Sequence, residues 1–213
     1  MKVISLQIAK KKEILFNNKM EETGFFKNLY KEQLTLNKEG VLGDFVADKV
    51  HHGGLDKASY LFGYNHYSYW QKKYPELAFK YGQFGENITL DSINENDILI
   101  GDEYTLGEVL LQITQPRQPC YKLGIAFNNQ KIVNEFRDYF SPGLYIRILK
   151  EGKVKKGDQM ILSNRLENSP SVLEVYSLLY SKSPDENLMT RVLSHESIAS
   201  NVKTYLQRKW KNY

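Results

Sequence analysis

The 213-residue chain contains one thiol, Cys120. An intramolecular disulfide is therefore excluded, and this usage fits a reducing compartment. Long apolar runs are missing too. The longest are pieces such as Leu110-Leu111 and Met160-Ile161-Leu162, far short of the roughly 20 residues a membrane-spanning helix needs. No apolar signal core precedes Lys10-Lys11-Lys12, so the chain is expected to be cytoplasmic, with no membrane partner. Neither sign of charge dominates: 29 Lys and Arg against 25 Asp and Glu leave a net charge of +4. The densest basic runs, Lys10-Lys11-Lys12 and Arg208-Lys209-Trp210-Lys211, lie near the ends and read as solvated termini. A nucleic-acid partner is not expected, because its signature is a basic stripe with interleaved aromatics. No repeat or low-complexity tract occurs. Hydrophobic residues at 41% and charged residues at 25% exclude a disordered or collagen-like chain.

At about 150 residues per domain, this length suits one large domain or one domain with an appendage. Residues 1–162 carry strand signals, short β-branched and aromatic runs punctuated by Gly, Asn and Asp. Val3-Ile4-Ser5-Leu6-Gln7-Ile8 alternates, as does Glu13-Ile14-Leu15-Phe16. Glu108-Val109-Leu110-Leu111-Gln112-Ile113-Thr114-Gln115 reads as a mostly buried strand, and Gly143-Leu144-Tyr145-Ile146-Arg147-Ile148-Leu149 as another. Many short strands favour a barrel or sandwich. Helical insertions are expected at about 64–73 and 131–140, where Ile132, Val133, Phe136 and Phe140 recur at helical spacing. The pattern changes after Ile161. Residues 163–170 are polar and end in Pro170, a linker signal. Beyond them come three short amphipathic helices, carried by Val172/Val175/Tyr176/Leu179, by Leu188/Val192/Leu193, and by Ile198/Val202/Tyr205/Leu206. The expected organisation is a mainly β domain over 1–162 and a small C-terminal three-helix domain over 170–213.

Phosphate-loop, dinucleotide, nucleophile-elbow and zinc-protease fingerprints are all absent. Three polar clusters remain. In the first, His51-His52 is a weak metal signal, because neighbours on an extended chain point to opposite sides. Gly53-Gly54 can instead present backbone N–H groups to an anion, with His52 and Lys57 supplying donors or charge. A histidine simply held in a Gly-Gly turn is the structural alternative. The second cluster, Gly82-Gln83-Phe84-Gly85-Glu86-Asn87, is either a capped turn or a binding loop. In the third, Gln115-Pro116-Arg117-Gln118-Pro119-Cys120-Tyr121-Lys122, prolines stiffen the approach to Cys120. If Pro119 occupies the first turn of a helix, Cys120 lies near a positive dipole end with Arg117 and Lys122 close by. Cations and a helix N-terminus favour the thiolate that nucleophiles and soft-metal ligands require. An inert buried cysteine is the alternative.

The run His51-His52-Gly53-Gly54-Leu55-Asp56-Lys57-Ala58, then Phe84-Gly85-Glu86-Asn87, then residues 115–123 resembles, in order and spacing, the MOSC domain (molybdenum cofactor sulfurase C-terminal). Within that family it resembles the YiiM-like branch. Gly143-x-Tyr145-x-Arg147 and Gly152-x-Val154-x-x-Gly157-Asp158 extend the match, and the helical tail is similar to the one this branch carries. Tyr81, where the family often has Pro, and Ser141-Pro142, where a Gly-rich turn is usual, depart from it in loops. The resemblance implies a MOSC-type β-barrel and a molybdenum–molybdopterin cofactor (Moco), with Cys120 as metal ligand or sulfur carrier. Lys57, Arg117 and Arg147 would meet the cofactor's phosphate and pterin, and His52, Gly53 and Asn87 would orient it or the substrate. The implied activity is reduction of N-hydroxylated compounds such as 6-hydroxylaminopurine. One cysteine cannot hold an iron–sulfur cluster, so electrons would come from an external donor protein. The alternative is a non-catalytic sulfur or cofactor carrier using Cys120.

Overall fold

The computed structural model describes residues 1–30, 33–48, 53–183 and 185–211. The strands are β1 (Val3–Ile8), β2 (Lys12–Phe16), β3 (Lys19–Thr23), β4 (Asn28–Leu29), β5 (Gln33–Asn37), β6 (Gly40–Val41), β7 (Ser59–Gly63), β8 (Ile88–Leu90), β9 (Glu103–Leu106), β10 (Val109–Pro116), β11 (Leu144–Lys150), β12 (Gly152–Lys155) and β13 (Met160–Asn164). The helices are α1 (Tyr67–Lys73), α2 (Tyr121–Ala126), α3 (Lys131–Tyr139), α4 (Val172–Tyr180), α5 (Glu186–Ser194) and α6 (Ser200–Lys209). Eight strands form one mixed sheet in the order β13-β9-β10-β11-β7-β8-β1-β4, while β12-β5-β6 and β2-β3 make smaller sheets. Within the large sheet β7 and β8 run parallel. The expected helices near 64–73 and 131–140 are present as α1 and α3.

The expected barrel needs correction: among the described residues no strand ladder closes the large sheet. β4 pairs only with Gln7 and Ile8, which leaves the start of β1 open. That start meets the approach to β13 at one antiparallel bridge, Lys2 to Gln159. Val3 N–H donates to the Asp158 carbonyl (2.9 Å) and Met160 N–H to the Met1 carbonyl (2.8 Å). The fold is a sheet-rich mixed architecture with helices.

Strand β7 shows how the sequence divides the interior. Successive side chains point to opposite faces of a strand, and here both faces are covered. Leu61 joins a large, mainly aliphatic cluster with Leu6, Ile113, Leu144 and Ile146. Tyr60 and Phe62, on the other face, join an aromatic cluster with Tyr67, Trp70, Phe84 and Phe136. The aromatic cluster backs the functional cavity described below.

Three helices do follow residue 170, but they have no separate core. Val172, Val175, Leu179, Val192, Val202 and Leu206 belong to the same aliphatic cluster as the sheet. The connection is hydrogen-bonded to the sheet layer as well: Ile100 N–H donates to the Pro170 carbonyl, Val172 N–H to Ile98 and Ala199 N–H to Thr114. Helix α4 starts from a reciprocal cap, with Ser171 Oγ accepting from Glu174 N–H and Glu174 Oε2 accepting from Ser171 N–H. Arg165, in the expected linker, pairs with the fully buried Asp102 (2.5 Å).

Removing α4–α6 should therefore uncover the sheet. A chain ending at Asn168 is expected to lose its cooperative thermal transition, followed by circular dichroism. A sharp transition close to that of the full chain would show instead that the helices are merely attached.

Candidate functional site

A cavity of about 570 Å³ opens beside the aromatic cluster. Its wall is drawn from six stretches far apart in sequence: residues 23–27, 37–48, 53–60, 84–87, 117–122 and Tyr145. Three short segments explain its character.

The first is the exit from β10. Pro116 ends the strand, and Cys120 takes the capping position of α2 in an extended conformation (φ −129°, ψ 170°). Pro119 thus lies outside the helix rather than in its first turn. The Cys120 carbonyl accepts from Leu123 N–H (3.0 Å). Its thiol makes no capping bond and lines the cavity, half-buried. The next residue, Tyr121, is clamped from outside by the β2-β3 hairpin. Its ring stacks on Phe16 at 4.1 Å, and its hydroxyl donates to Glu21. Asn17 and Asn18, both with positive φ (48° and 60°), make the tight turn of that hairpin.

The second feature is charge. Arg117 is only 4% exposed and is surrounded by rings rather than carboxylates. Its guanidinium lies 4.9 Å from the Phe136 ring, 5.4 Å from Tyr60 and 5.8 Å from Phe25. Aromatic faces offset part of the cost of burying this cation, yet Nη1 has no hydrogen-bond partner among the described residues. Three further cations share the wall: Lys27, Lys57 and Lys122. Lys57 lies 5.8 Å from the Tyr145 ring, and burial lowers its pKa against the opposing pull of Asp48 and Asp56. Lys122, also buried, sits 5.8 Å over Tyr121. Burial pushes the Tyr145 hydroxyl up to about 12 despite Arg117. The carboxylates of Glu39, Asp44 and Asp48 share the same wall with these cations.

The third feature is a buried polar knot. The Asp44 carboxylate accepts from Ala9 N–H (2.6 Å), from Lys27 Nζ (2.5 Å) and from Asn87 Nδ2 (2.8 Å). Asn87 also donates to the Gln7 carbonyl (3.3 Å) and accepts from Tyr60 N–H (3.4 Å). Its polar atoms therefore fix the cavity floor, although it lines the cavity as expected. Beneath it Glu86 is fully buried, and its carboxylate accepts from Gly82 N–H (2.8 Å), Phe84 N–H (3.2 Å), Thr89 (3.0 Å) and the Tyr67 hydroxyl. Burial raises the Glu86 pKa while these donors oppose it. Gly85, at φ +84°, lets the Phe25 ring pack where a Cβ would come within 3.0 Å.

Of the expected site residues, the fold brings Gly53, Lys57, Asn87, Arg117 and Cys120 to this one cavity. His52 lies outside the described residues, as does His51. Arg147 is not among the cavity-lining residues. Its guanidinium is engaged by Asp56 (Nε to Oδ1, 2.8 Å) and by Gln112 (3.1 Å), bracing the turn that carries Lys57. Lys27 and Asp44 were not anticipated as a pair, and no spacing in the sequence links them. Among the described residues no three His, Cys, Asp or Glu side chains are grouped to hold a metal on their own. None of the helices there is long and apolar enough to cross a membrane.

Comparison with known proteins agrees with this geometry. Residues 48–161 match the MOSC domain. The chain is 32% identical to the uncharacterized protein YflK of Bacillus subtilis, over 97% of this chain and 93% of that one. It is also 32% identical to a protein of Gibberella moniliformis called Reductase, over 76% of this chain but only 30% of that one. The crystal structure of YiiM from Geobacillus stearothermophilus superposes with a TM-score of 0.82 at 26% identity, covering 98% of both chains.

Asp44→Ala should strand a buried ammonium and a buried amide together. The expected loss is about 3–5 kcal/mol of stability, the range for breaking a buried ion pair from one side. It is measured by chemical denaturation. A loss within the scatter of surface substitutions would mean the knot is solvated.

Proposed function

The chain belongs to the MOSC domain family, in its YiiM-like branch, and on that premise we propose that it binds a molybdenum–molybdopterin cofactor and reduces N-hydroxylated compounds. The observation that carries this reading is the pairing, in one cavity wall, of a half-buried thiol with a buried guanidinium flanked by aromatic rings. Arg117, Lys57 and Lys122 together place positive charge on that wall for an anionic group such as a phosphate. Cys120 is a suitable soft ligand for molybdenum.

When bound, the cofactor supplies two-electron chemistry that the side chains lack. The chain's own part is to bind, orient and exclude water. Arg117, held by the rings of Phe25, Tyr60 and Phe136, fixes the anionic end. Asn87, locked by Asp44, Gln7 and Tyr60, keeps the floor rigid. Gly53 allows backbone to approach closely. The aromatic cluster behind Tyr60 keeps water from that side of the wall. The net change is R–NH–OH plus two electrons and two protons giving R–NH2 and water, with electrons from an external donor protein. The relative called Reductase extends well beyond the matched region, which accords with a reaction needing additional machinery. The same thiol would serve a sulfur or cofactor carrier, and turnover separates the two.

Protein purified from a cofactor-competent host should contain molybdenum and reduce 6-hydroxylaminopurine with a chemical reductant. Cys120→Ser should keep the fold and much of the phosphate-directed binding but lose turnover. Arg117→Ala or Lys57→Ala should weaken cofactor retention by about 1.5–3 kcal/mol, the worth of a hydrogen bond to a charged group. Retained turnover in the serine variant would return Cys120 to a structural role. A loaded wild type that transfers sulfur without turnover would favour the carrier.

A further inference from the structure

We propose that Lys27 is the proton donor to the oxygen that leaves in this reduction, an inference that rests on the reading above. Lys27 lies between β3 and β4, forms part of the cavity wall and is only 5% exposed. Its ammonium has three N–H donors. One is taken by Asp44 at 2.5 Å, and no other acceptor engages it among the described residues. Asp44 is itself held by Ala9 and Asn87, so the ammonium is fixed beside two side chains, Asp44 and Asn87, whose residues also line the cavity.

The charged groups that act on Lys27 set its balance. Burial lowers its pKa, while Asp44 and, more weakly, Glu86 raise it. Asp44 keeps the proton in place at rest, and burial makes the neutral amine cheaper to reach than in a solvated lysine. A general acid needs both a held proton and a reachable neutral form. The other groups in the wall serve less well. Arg117 cannot give up a proton. Tyr60 donates its hydroxyl hydrogen to the Pro142 carbonyl (2.8 Å), and burial raises its pKa far above the ordinary value. Tyr145 is pushed up to about 12 by burial. Glu86 receives its four donors within the loop and the aromatic cluster. Lys57 is the rival, with Asp48 and Asp56 acting on it.

The step balances as follows. The N–O bond breaks as two electrons arrive from the external reductant. The oxygen takes one proton from Lys27 and leaves as water, and the nitrogen takes a second proton from solvent. Solvent then reprotonates the amine.

The test uses full-length protein loaded with cofactor, with reduced methyl viologen as electron source. Lys27→Arg keeps the cation but cannot release a proton. Lys27→Met combined with Asp44→Asn removes both charges, avoiding a stranded one. Molybdenum content and thermal unfolding are measured for each. In the loaded variants, reduction of 6-hydroxylaminopurine should fall about a hundredfold or more, and the alkaline limb of the wild-type pH–rate profile should disappear. Reduction of hydroxylamine-O-sulfonate, whose sulfate leaves without a proton, should change less than about threefold. Equal losses on both substrates, or failure of both variants to load, would overturn the inference by making Lys27 a structural or cofactor-holding residue. Unchanged rates, or loss of the alkaline limb in Lys57→Met while Lys27→Arg keeps it, would overturn it as well. A loaded wild type that reduces neither substrate would remove the underlying reading, and this inference with it.

Discussion

The Asp44 carboxylate is the constraint on which the site depends. It gathers the end of β1 through Ala9, the 24–27 segment through Lys27 and the approach to β8 through Asn87. A buried carboxylate without these donors would be costly to keep ionised, and the Lys27 ammonium without the carboxylate would lose its ion-pair partner. The three segments therefore either assemble together or leave buried charge exposed to unfavourable surroundings. Because Asn87 also accepts from Tyr60 N–H, the same knot sets where the aromatic cluster ends and the cavity begins. The ion pair contributes position more than stability, since desolvation offsets much of its Coulomb attraction.

Arg117 extends the same logic to a single charge. Its partners are rings, which soften burial without satisfying directional N–H groups. A protein that only needed stability there could have used an apolar side chain of similar size. Among the described residues Nη1 has no hydrogen-bond partner, so the rings are what offsets the burial of this cation.

Much of this was legible in the sequence. Period-2 alternation located β1 and β2, continuous β-branched and apolar runs located β10 and β11, and helical spacing located α3 and the three C-terminal helices. Proline framing placed Cys120 at a helix entrance, one position off, because Pro119 stays outside α2. The cation-bearing loops did converge on one cavity. Three things were not legible, each for a physical reason. Whether a sheet zips closed depends on the register of residues 1–3 against 157–160, which strand patterns do not encode. Arg147 shares a strand face with Tyr145, but Asp56 captures it away from the cavity. Lys27 looks like any solvated lysine until the 40–48 segment folds over it, and nothing local signals that event.

The Tyr121 clamp carries a consequence for the order of events on the ribosome. Tyr121 reaches Glu21 across 100 residues of chain, and Arg147 reaches Asp56 across 91. Such contacts must overcome loop-closure entropy before they gain anything, so they form after local structure. Tyr145 itself stands in the cavity wall. Until β11 has emerged and paired, the nascent polypeptide holds only fragments of the wall, with the thiol still unsheltered. A complete wall for any ligand thus has to wait for β11.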